Sequence, residues 1–108
     1  LLSSPAFAGK ADVIDVKVTI EAAGTYRFDV TIRSDDTGWE KYADRFEVLS
    51  PDGAVLGTRV LAHPHETEQP FTRELSGVAV PRHVKQVLLR AHDKVEGFGG
   101  REMTVPLP

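Results

Sequence analysis

Apolar residues recur at every second position in Ile14, Val16, Val18 and Ile20, and again in Tyr26, Phe28, Val30 and Ile32. A period of two matches a strand that is buried on one face, so each run predicts a β-strand. The link Glu21-Ala22-Ala23-Gly24 between them contains the glycine that a tight connection favours, and the pair reads as a hairpin. A polar stretch from Ser34 to Glu40 follows, then a third strand from Tyr42 to Leu49. Ser50-Pro51-Asp52-Gly53 supplies turn chemistry, because proline presets φ and glycine tolerates positive φ. Ala54 to Ala62 returns as the fourth strand.

His63-Pro64-His65-Glu66-Thr67-Glu68-Gln69-Pro70 offers no large apolar residue to a core, so it reads as a surface loop. Phe71 to Leu75 is a short fifth strand, and Ser76 to His83, with Gly77 and Pro81, reads as a crossing connection. Val84 to Ala91 is a denser apolar run, as expected of a central sixth strand. The glycines of Gly97-Phe98-Gly99-Gly100 mark a long hairpin loop before a seventh strand carrying Met103, Val105 and Leu107.

Seven short strands without an amphipathic helix pattern predict an all-β fold, a seven-stranded antiparallel β-sandwich. The final segment, from Val87-Leu88-Leu89-Arg90-Ala91-His92-Asp93 to Val105-Pro106-Leu107, resembles the last hairpin of immunoglobulin-like and fibronectin-III-like modules. The chain departs from antibody domains in having no cysteine pair, and no tyrosine in its sixth strand could form a tyrosine corner.

Composition narrows the function classes. The 108 residues suit one domain, taken as residues 9–108, and 41% hydrophobic with 27% charged residues is the balance of a globular chain. A formal charge of −3, with acids and bases interleaved, gives no cationic stripe for nucleic acid. No apolar run approaches the ~18 residues of a membrane span, so no membrane insertion is expected. Residues 1–8, Leu-Leu-Ser-Ser-Pro-Ala-Phe-Ala, match the end of a signal peptide with an A-x-A cleavage pattern, which predicts a periplasmic or secreted protein.

If every strand runs antiparallel to the one before it, alternate connections emerge at the same end. The stretch after the second strand, the His-Pro-His loop and the glycine-rich loop then share one pole. Trp39, His63, His65, His92, Asp93 and Phe98 become the candidate site residues. The resulting expectation is an exported binding or accessory module that uses this pole to contact an exported protein or glycan, as a monomer or weak homodimer. Trp39 and Phe98 are the aromatics such a contact would use.

The alternative expectation is a periplasmic copper or zinc protein. His63 and His65 lie two apart in an extended segment, so both imidazoles could face one ion, with His92 as a third ligand. Exported immunoglobulin-like copper carriers are similar in fold class and compartment, but Met103 is the sole methionine and no methionine-rich segment exists. Asp36-Thr37-Gly38 matches the triplet of aspartic proteases, yet it follows polar residues rather than the apolar ones of that family. With no cysteine and no G-x-S-x-G or H-E-x-x-H pattern either, the chain is not expected to be an enzyme.

Overall fold

The computed structural model describes residues 9–108. The signal-peptide segment read in residues 1–8 lies outside the described residues. Seven strands follow in order: β1 (Asp12–Ala22), β2 (Thr25–Arg33), β3 (Ala43–Leu49), β4 (Val55–Val60), β5 (Phe71–Ala79), β6 (Gln86–Asp93) and β7 (Met103–Pro106). They form two sheets, β1-β2-β5 and β4-β3-β6-β7, and every pairing is antiparallel. The fourth strand pairs with the third, whereas in constant-type immunoglobulin domains it joins the sheet of the first, second and fifth. Among the described residues there is no helix, and therefore none long and apolar enough to cross a membrane.

The alternation seen in the sequence is the reason the two sheets face each other. Phe28, Val30 and Ile32 of β2 point inward and are fully buried, as are Phe46 and Val48 of β3 and Val87 and Leu89 of β6. Phe71 at the start of β5 closes the core at one end. Each such side chain contributes about 1.5–3 kcal/mol through the apolar surface it removes from water.

Beyond shifts of one or two residues at strand ends, as in β4 and β6, two strands differ from the sequence reading. β5 runs past Leu75 to Ala79, because Gly77, at φ 67°, absorbs a register shift where Tyr26 pairs Val78 but Phe28 pairs Leu75. A glycine that reads as a connection is therefore a bulge inside a strand. In β1 a register shift between Val13 and Asp15 changes the phase, so Val13 rather than Ile14 is fully buried, whereas Ile20, in phase with the half-buried Val16 and Val18, is 54% exposed near the end of the strand.

Both open sides of the sandwich are tied. On one, Val13 N–H donates to Arg101 O at 2.8 Å and Arg101 N–H donates to Asp12 Oδ1 at 2.7 Å. Burial raises the Asp12 carboxyl above its ordinary value, and the Arg101 amide opposes that rise. Gly100 lies so close that a Cβ there would sit 2.0 Å from the Ala11 carbonyl oxygen. On the other side Arg59 of β4 donates to the Glu74 carbonyl of β5 at 2.6 Å, occupying an edge acceptor that would otherwise stay open.

Candidate functional site

The three connections expected to share a pole do so, and side chains stitch them together. Asp36, in the β2–β3 connection, accepts Ala43 N–H at 3.0 Å and, from the β4–β5 connection, His65 N–H at 2.8 Å. Gln69 returns the link: its amide donates to His65 O and Ser34 Oγ, and its oxygen accepts Ser34 N–H. Although it sits in a polar turn, Asp36 is buried, and it satisfies two backbone donors. The Asp-Thr-Gly triplet is thus a structural clasp.

Asp93 joins the β2–β3 and β6–β7 connections. Its side chain is fully buried, Lys41 Nζ lies 2.8 Å from Oδ2, and Oδ1 accepts the N–H groups of Val95 and Glu96. Lys41 also donates to Gly9 O at 2.6 Å. Expected as a contact residue, Asp93 is instead a strut beneath the surface, since an aspartate that caps a turn and neutralises a lysine has no oxygen left to offer.

The histidines separate into two places. His63 and His65 do approach one another, with ring centroids 4.6 Å apart. His65 lies flat on Phe71 at 3.9 Å, and neither of its ring nitrogens has a hydrogen-bond partner among the described residues. Burial holds its pKa below the ordinary imidazole value, and Arg73 and His63 push it the same way, against Asp36 and Glu68. His92 is elsewhere, on the outer face of the four-stranded sheet, where its Nδ1–H donates to Asp44 Oδ1 at 2.6 Å. The structure does not bring His63, His65 and His92 together, and among the described residues no group of three or more His, Asp or Glu side chains is placed to hold a metal ion. Residues two apart did turn to the same side, but the third imidazole faces outward on β6.

Phe98 folds back over that same outer face. The Arg90 guanidinium sits 3.9 Å from its ring centroid and His92 meets it edge-on at 4.7 Å, leaving it half-buried. Beneath it, Glu47 bridges Arg45 and Arg90 at 3.2 and 2.8 Å. Burial works to raise the Glu47 pKa, but the two guanidinium bonds outweigh it and hold the carboxyl below its usual value. This network alternates along β3 and β6, but no periodicity in the chain signals that Phe98 covers it.

Trp39 remains. It stands at the tip of a turn closed by Lys41 N–H donating to Gly38 O at 3.1 Å, and it is 61% exposed. Tyr42 meets the indole edge-on at 5.8 Å. From the β6–β7 connection, Lys94 Nζ donates to Trp39 O at 2.7 Å and lies over the Tyr42 ring. Val95, beside Lys94 in the chain, is 59% exposed. The turn is therefore held from behind while its largest apolar side chain faces solvent.

The fold and this pole define an all-β sandwich carrying an exposed indole on a braced three-loop surface. No family model matches the chain, and no solved structure matches it. It is 41% identical over 98 residues to a protein of Halomicrobium mukohataei named "Putative lipoprotein", in a match covering 89% of this chain and 47% of that protein. The chain thus spans about half the length of the curated relative it matches.

Proposed function

We propose that this domain is a non-catalytic recognition module of an exported cell-envelope protein, periplasmic or secreted, and that Trp39 is its principal contact residue for a protein partner. One observation carries the reading: an indole that is 61% exposed on a turn whose backbone is fixed by Lys41 and Lys94. Water contact on so much apolar surface is a standing cost that burial against a partner would relieve, and tryptophan dominates such contacts. Export is supported by the relative's name and by the Ala-Phe-Ala pattern before Gly9. The immunoglobulin-like or fibronectin-III-like type is supported by the facing of β1-β2-β5 and β4-β3-β6-β7.

A protein suits this pole better than a glycan or other small ligand. Grooves of about 400 Å³ lie at the opposite pole, lined by residues such as Tyr26 and Val84. At the loop pole the indole projects from a turn tip, the shape that enters a recess rather than one that encloses a ligand. Wild-type and Trp39→Ala domains immobilised side by side in a cell-envelope extract test the reading, followed by affinity measurement with the purified captured protein. Loss of about 2 kcal/mol, roughly thirtyfold in Kd, is expected for the variant. Equal affinity for a folded Trp39→Ala domain overturns the reading.

A further inference from the structure

The two poles are complementary in shape and in charge. At the loop pole the projecting Trp39 is followed directly by the exposed carboxylate of Glu40, with Asp35 and Glu96 exposed on the same pole, while the Lys94 ammonium there is bound behind the turn to Trp39 O. At the far pole, between the β1–β2 turn and the β5–β6 crossing, lies a groove of about 400 Å³. Tyr26, Val80, Val84 and Leu107 give it apolar walls, and Arg82 and Lys85 are the charged side chains that line it among the described residues. Its volume falls within the range of about 300–1,000 Å³ typical of clefts that enclose a small ligand, ample for one indole.

We infer that the groove receives Trp39 of a second copy of this chain, so that domains stack pole to pole, with Glu40 facing Arg82 and Lys85. The inference rests on the reading of Trp39 as a contact residue and names one partner for it. The occupant is chosen by charge complementarity. The groove presents two cations over an apolar floor, and the Trp39-Glu40 turn presents an apolar ring beside an anion. A contact between two different patches is heterologous, so each copy keeps one free knob and one free groove, and association continues in line instead of closing as a dimer. The cation–carboxylate rim makes it weaken with added salt, because exposed charges are screened beyond about 10 Å at 0.1 M ionic strength.

Sedimentation velocity over about 10 μM to about 1 mM protein, at low and high salt, tests this in a range where weak contacts register. The expected result for residues 9–108 is a sedimentation coefficient that rises with concentration at low salt and much less at high salt. Trp39→Ala and the double variant Arg82→Glu, Lys85→Glu each weaken association at least about tenfold, with circular dichroism confirming that both remain folded. Mixing the two is decisive. One retains its groove and the other its knob, so an equimolar mixture forms a one-to-one complex and stops there. A wild-type domain that stays monomeric throughout, association that neither variant weakens, or a mixture that forms no complex overturns the inference. If the domain is monomeric yet captures an envelope protein through Trp39, stacking falls and the recognition reading stands. If Trp39→Ala alters neither behaviour, both fall.

Discussion

The loop pole and the far pole are built by different means. At the loop pole, long connections are held by side chains that reach across from one to another: Asp36 to His65, Gln69 to Ser34, Lys41 to Asp93 and Lys94 to Trp39. At the far pole, short links are held by bonds within a turn and by backbone bonds between neighbouring links. The Ser50 hydroxyl donates to Asp52, Val84 N–H donates to Pro81 O, and Val80 N–H donates to Gly24 O. Several polar residues at the loop pole, Asp36, Asp93 and Lys41 among them, are therefore consumed by structure, and Trp39 and Val95 stand exposed among carboxylates such as Asp35, Glu40 and Glu96. The far pole consumes few side chains and keeps its grooves.

The contrast predicts a graded response to substitution. Asp93→Ala strands Lys41 and leaves the Val95 and Glu96 amides without their acceptor, and it is expected to cost about 3 kcal/mol in urea unfolding. Asp36→Ala, which orphans the Ala43 and His65 amides, should cost about 2–3 kcal/mol by the same measurement. A loss below about 0.5 kcal/mol for either would mean that the stitching is ornamental. Phe98→Ala removes a half-buried ring from Arg90 and His92 and should cost about 1–2 kcal/mol.

Acid should act on the same pole through His65. Its folded pKa lies below the ordinary imidazole value of 6.5, so between those two values the unfolded chain binds more protons. The stability associated with a neutral His65 is thus complete above about pH 6.5 and is lost as pH falls through that value towards the folded pKa. His65→Leu should be near neutral at pH 7.5, because it replaces two unsatisfied ring nitrogens by apolar surface, and should flatten this part of the stability profile. A profile unchanged by the substitution would assign the acid sensitivity to another group. The smallest effect is expected for Trp39→Ala, within about 0.5 kcal/mol of wild type, since an exposed side chain contributes little to folding.

The strand ladder was legible from the sequence because alternation reports directly on burial, as in Phe28, Val30 and Ile32. So was the gathering of the three connections, which follows from antiparallel reversal alone. The roles of individual polar residues were not. Asp93 and Asp36 carry the same composition signal as solvated loop aspartates, and only the positions of Lys41, Ala43 and His65 in space distinguish them. Phe98 between glycines reads as a contact aromatic for a similar reason. Its partners, Arg90 and His92, lie on the outer face of β6, and a period-two pattern specifies that such residues face outward without saying what covers them.

The way the chain is fastened at each pole has a mechanical corollary. Gly9 is held by Lys41 at the tryptophan end, and Leu107 N–H donates to Lys85 O at the other, in a molecule 40 Å along its longest axis. Tension applied between these two points pulls β1 and β7 along their own lengths, so the ladders to β2 and β6 are sheared as a group rather than peeled apart rung by rung. A tether attached in this way would meet a stiff link rather than an unravelling one.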